Sequence, residues 1–203
     1  SMRSQFSVVV EWTVNERNGI VCLNWDEIKK AKKEIFSTRS FGQRVSDEHS
    51  LKSALVSHGV IVGRKVRQQQ SLIKRLVIFA ASDDNYYNKS IVYEFSVATD
   101  NTLSIANAIS AAFNCVYVSG VNFYRCGVGA IELENSQFQQ HDLFSVNDDR
   151  PELMLCYDGI NNRYGNDTLQ LAAQGRIEKW RMRRDFLSPS FTSKWRDIPK
   201  ISC

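Results

Sequence analysis

Five consecutive residues, Gln140-His141-Asp142-Leu143-Phe144, are of types and spacing that can capture a partner. They follow an apolar run, 128–133, and a polar spacer, 134–139, and they precede an acidic and polar stretch, 145–150. Leu143 and Phe144 are neighbours, so one face of a strand cannot bury both in the chain's own core. An apolar pocket on another protein can take both, while Gln140 supplies an amide for directional hydrogen bonds and Asp142 an acidic spacer. Two readings stand: a docking peptide, or a loop whose Leu-Phe pair tucks back onto its own domain.

The cations form a second set. Lys29, Lys30, Lys32 and Lys33 cluster in a short linker, as either a solvated run or a phosphate contact. Arg39 and Arg44 flank Ser40-Phe41-Gly42-Gln43. In the tail, Lys179, Arg181, Arg183, Arg184, Lys194, Arg196 and Lys200 are interleaved with Trp180, Phe186, Phe191 and Trp195. That pattern fits single-strand binding by stacking and charge, and equally a small wrap packed against the helix that precedes it in the chain, 151–164. The net charge of +4 decides nothing by itself. The five cysteines are never closely paired and the three histidines lie near none of them, so a disulfide framework and a metal site are not expected. No apolar run is long enough to span a membrane, and a signal peptide is not expected.

These groups need elements to hold them. Residues 4–18 read as a helix, with Phe6, Val9, Val10 and Thr13 at helical spacing and Gly19 placed to end it. Residues 20–28 read as extended, and 34–41 as a strand. Residues 46–69 read as a long helix with Leu51, Leu55, His58, Val62 and Val66 on one stripe, and Gly59 and Gly63 are expected to let it approach a sheet closely. Residues 72–82 and 90–98 read as strands joined by a polar turn. In the second of these, Ile91, Tyr93, Phe95 and Val97 alternate with polar positions. Residues 99–102 offer caps to a helix bearing Ile105, Ala108, Ile109, Ala112, Phe113 and Val116, and 122–133 read as a last strand. Residues 151–164 read as a helix opened by Pro151, and 168–173 as a short strand or extended piece.

The expected fold is α+β. A four-stranded sheet in β-α-β-β-α-β order has two helices on one face, with an N-terminal helix and a small C-terminal helical or irregular domain appended. The open face of that sheet is expected to carry Arg39, Lys74 or Arg75, and Arg125, as either a nucleic-acid surface or a solvated one.

With these residues in place, the chain resembles the C-terminal half of the UmuC-type catalytic subunits of bacterial DNA polymerase V, a family of Y-family translesion polymerases. The resemblance lies in Ser7-Val8-Val9-Val10-Glu11 with Thr13-Val14, in Ser37-Thr38-Arg39-Ser40-Phe41-Gly42-Gln43-Arg44-Val45, and in Gln140 to Phe144. It continues in Arg163-Tyr164-Gly165 with Thr168-Leu169, in Ala173-Gln174-Gly175, and in Leu187-Ser188-Pro189 followed by Thr192. It implies the end of a thumb at 1–28, a basic linker at 29–33 and a little-finger DNA-binding domain at 34–133. A linker with a clamp-binding peptide follows at 134–149, then the subfamily's C-terminal domain at 150–203.

The resemblance further implies DNA contacts at Arg39, Ser40, Phe41, Gly42, Arg44, Lys74, Arg75, Arg125, Lys30 and Lys32, and sliding-clamp contacts at Gln140, Asp142, Leu143 and Phe144. It implies partners in primer-template DNA, the sliding clamp, a UmuD-type accessory dimer and RecA, in a bacterial cytoplasm and on the nucleoid when active. Magnesium is expected only in a polymerase palm that no stretch here resembles, so the chain is expected to be non-catalytic and without cofactor. A rival of another class is a stand-alone single-strand-binding or adaptor protein built on the same fold.

Overall fold

A computed structural model describes residues 8–22, 31–82, 87–138, 150–175, 188–190 and 194–198. The chain divides into two compact units, Ser1–Lys32 and Lys33–Cys203. In the first, helix α1 spans Val8–Arg17. It ends as its sequence requires: Gly19 takes φ +80°, its N–H donates to the Glu16 carbonyl, and the Ile20 N–H donates to the Asn15 carbonyl. This paired closure satisfies carbonyls the last turn would otherwise leave open. No residue of α1 is buried, in keeping with its β-branched content and weak propensity to stand alone.

The second unit runs β1 (Ile35–Val45), α2 (Glu48–Gln68), β2 (Ser71–Ser82), β3 (Asn88–Thr99), α3 (Thr102–Val116), β4 (Phe123–Asn135) and α4 (Pro151–Tyr164). The four strands form one antiparallel sheet in the order β1-β4-β2-β3. Each long helix thus joins two strands separated by one other strand, the split β-α-β arrangement repeated twice. Helix starts follow side-chain chemistry: the Asp47 carboxylate accepts from the Ser50 N–H at 2.8 Å, and the Asn101 amide oxygen accepts from the Leu103 N–H at 2.9 Å. The core gathers the α2 stripe, the α3 stripe and the inward strand positions Leu76, Ile78, Ala80, Cys126, Val128 and Ala130. Burial raises the Cys126 thiol far above its ordinary range, which makes it a packing residue and not a nucleophile.

Three sequence expectations need correction. Gly59 and Gly63 open α2 to α3, not to the sheet. A Cβ at Gly59 would run into Ile109 and stand 3.1 Å from Ile105 Cγ2, and one at Gly63 would stand 3.0 Å from Ile105 Cδ1. The glycines are therefore the site of helix–helix crossing. Strand β4 does not end at Leu133. Glu134 and Asn135 still pair with Leu72 and Ser71, and the Ser136 N–H and hydroxyl both donate to the Gln70 carbonyl. Residues 168–173 form no strand: the Asn161 amide holds both backbone groups of Leu169, and a 3-10 turn follows at Ala172–Gln174.

Candidate nucleic-acid interface

Alternation along β1 decides where its cations sit. Ile35, Ser37 and Phe41 are buried on the helix side, and the Ser37 hydroxyl lies 2.9 Å from His58 Nδ1 on α2. Arg39 shares the face of Ser37, because the pairing with β4 is regular from Ile35 to Ser40. Its guanidinium raises the potential at His58, as does the Lys65 ammonium, which also donates to the Phe36 carbonyl at 3.4 Å. Arg39 therefore belongs to the helix side of the β1 edge, and its placement on the open face is overturned. Phe41, at 5% exposure, has its ring in the core, so a DNA contact at this position would fall to its backbone.

The opposite face is largely apolar. Phe36 pairs with Gly129 and rests its ring over that glycine; Phe79 and the Thr38 methyl do the same over Gly127. Val77 and Val92 continue the row. Arg125 stands on this face opposite Ser40 and Ala81. Arg75 also stands here, and its Nε lies 3.1 Å from Glu94 and 3.3 Å from Glu132, between two carboxylates. Lys74 Nζ donates to the Ser96 carbonyl at 3.1 Å. The cation-bearing open face read from the sequence is thus charge-balanced in the middle, and positive charge collects along β1.

That edge holds Arg39, Lys65, Ser40 and the exposed Gly42. It also holds Arg44, whose guanidinium sits 4.9 Å from the centre of the Tyr124 ring. Lys32, the last residue of the first unit, is exposed. Lys30, Gln140, Asp142, Leu143 and Phe144 lie outside the described residues. Lys65 escaped the sequence reading, although a signal existed. It lies seven residues after His58, two helical turns along one face, and so reaches the same edge.

His58 registers the local field. It is buried, and burial first, then the positive charges of Arg39 and Lys65, push its pKa down to about 4 from 6.5. Above pH 6.5 the ring is neutral whether the chain is folded or unfolded, and stability is unaffected. Between 6.5 and 4 the unfolded chain takes a proton that the folded chain refuses, so stability falls as pH falls. The loss reaches about 3 kcal/mol at about 1.4 kcal/mol per pH unit. Melting temperatures across this window should therefore drop more steeply in the native chain than in His58→Gln. Equal slopes would contradict a buried neutral imidazole.

Comparison with known proteins adds to this geometry. A profile described as the impB/mucB/samB family C-terminal domain matches residues 32–143, and one described as a domain of unknown function, DUF4113, matches 151–201. Protein UmuC of Salmonella typhimurium strain LT2 is 30% identical over 208 residues, covering 98% of this chain and 49% of that protein. Protein ImpB of Salmonella typhimurium is 30% identical over 206 residues, covering 98% and 48%. Protein MucB of Escherichia coli is likewise 30% identical over 206 residues, covering 98% and 48%. The chain spans about half the length of the curated relatives it matches. A solved complex of the beta-clamp processivity factor and the little finger domain of PolIV aligns over 55% of this chain at 15% identity and a TM-score of 0.39, a level from which neither fold nor partner follows.

Proposed function

This chain belongs to the impB/mucB/samB family and carries its C-terminal domain, and we propose on that footing that it is the DNA-binding and clamp-docking C-terminal region of an error-prone translesion DNA polymerase acting in SOS repair and mutagenesis. The observation that supports DNA binding is the cationic β1 edge, where Arg39 and Lys65 flank a histidine held neutral and Arg44 stacks on Tyr124. Cations on an edge strand, with Ser40 and the backbone near Gly42 as neutral donors, suit phosphates and carry no base readout. A polymerase that copies damaged templates needs that kind of grip. Gln140, Asp142, Leu143 and Phe144 form the proposed clamp peptide, and a UmuD-type dimer and RecA are the further partners, in a bacterial cytoplasm. No helix among the described residues is long and apolar enough to cross a membrane. The chain's part in this work is binding; primer extension by the purified chain would contradict that assignment.

Titration of primer-template DNA at several salt concentrations tests the interface. Arg39→Ala and Arg44→Ala should each weaken binding alike on every sequence and reduce the salt slope by about one. Arg75→Ala should leave the slope unchanged, because Glu94 and Glu132 already hold that charge. A native slope in Arg39→Ala, or a reduced one in Arg75→Ala, would move the interface off the β1 edge.

A further inference from the structure

Helix α2 is buried on more sides than a sheet and one neighbouring helix require. Ser53 and Ser57, off its sheet-facing stripe, are buried as well, and Gly175 lies against Ser53 and His49. What covers Ser53 is the segment 150–175. The Ser53 hydroxyl donates to the Gln174 carbonyl, and the Arg64 guanidinium donates to the Asn166 side chain. Met154, Tyr157, Asn161 and Gln174 are buried there, and the Thr102 N–H points at the Met154 sulfur at 3.3 Å.

Arg67, in the last turn of α2, is the centre of this contact. Its Nε and Nη2 donate to the two Asp158 oxygens at 2.7 and 2.8 Å. Its Nη1 donates to the Asp100 carbonyl at 2.6 Å and to the Thr102 hydroxyl at 2.9 Å. One guanidinium thus ties the end of α2, the start of α3 and the middle of α4. The pair is mostly shielded, with side-chain exposures of 9% and 17%. A planar fork can make these four bonds at once, and an ammonium cannot.

We infer that residues 151–175, the opening half of the matched domain of unknown function, are a brace of the β-α-β-β-α-β domain, docked on α2 through Arg67 as their receptor. The partner this surface fits is the chain's own helix α4, and α4 gives up any role as a free binding module along its Met154-Tyr157-Asp158-Asn161 face. The remaining face of α4, with Leu153 and Leu155 exposed, stays outside the brace. The inference stands independently of any DNA or clamp binding.

Hydrogen exchange on the full chain tests it. Asp158→Ala and Arg67→Ala should each lower protection of amides 62–69 and 101–105, and not only of 151–175, by on the order of a hundredfold or more. The double variant should be little worse than either single one, because the two side chains act as a unit. Arg67→Lys should behave nearly as Arg67→Ala. Global unfolding of Asp158→Ala would also support the brace, and Asp158→Asn, which keeps shape and one acceptor, would then give the graded loss. Exchange that rises in 151–175 alone, with native protection at 62–69 and 101–105, would overturn the inference and make this segment a separate module.

Discussion

Replacing Leu143 and Phe144 together by alanine is expected to abolish binding to a bacterial sliding clamp while leaving DNA affinity unchanged. Fully burying such a side chain is worth roughly 1.5–3 kcal/mol. Ordering an extended peptide costs about 1–2 kcal/mol per residue in backbone freedom. The two terms nearly cancel, so the native interaction should be weak, about micromolar at best, with no reserve once both side chains are lost. The chain on either side of this peptide is anchored on the same unit, at Ser136 through Gln70 and at α4 through Arg67. Neither anchor involves the cations of the β1 edge, and the two functions should separate cleanly in the variant. Calorimetry of native and double-alanine chains against clamp checks this. Equal heats from both would show that Leu143 and Phe144 serve this chain's own packing.

Arg67→Ala is expected to carry a larger stability loss than the alanine replacement of any exposed ion-pair residue described in the second unit. Removing one member of a shielded ion pair leaves the other charge buried without compensation, which typically costs about 3–5 kcal/mol. Asp158 would be left so, and the Asp100 carbonyl and Thr102 hydroxyl would each lose a donor. By contrast, Arg75→Ala breaks an exposed network whose pairs are worth about 0–1 kcal/mol each. Urea titrations of the two variants should differ by several kcal/mol in unfolding free energy at similar denaturant slope. Similar losses in both would mean that the Arg67 clasp is as solvated as a surface pair.

The order of elements was legible because each carries its own period. The α3 stripe of Ile105, Ala108, Ile109, Ala112, Phe113 and Val116 is buried as its spacing requires. The face on which a cation lands was not legible at β1. A strand's alternation says which residues share a side, but only the Ser37–His58 contact says which side faces the helices. The partners of Arg75 were hidden for a similar reason: Glu94 and Glu132 become its neighbours only through strand pairing. The Arg67–Asp158 clasp spans 91 positions and has no local signature at all. Gly59 and Gly63 announced a close approach by their spacing, yet the sequence does not distinguish a helix from a sheet as the neighbour. The stripe read on α2 was correct and too narrow, because the brace that covers Ser53 comes from the far end of the chain.

The central claim is that one chain grips DNA and docks on a sliding clamp through separate residues. Sedimentation of the native chain with labelled primer-template DNA and clamp, at low salt and micromolar clamp, tests it most directly. A labelled species heavier than the DNA complex should form, shrink to the DNA complex in the Leu143→Ala/Phe144→Ala chain, and lose its DNA as salt is raised. Clamp that displaces the DNA, or a labelled species that never grows when clamp is added, would contradict the account.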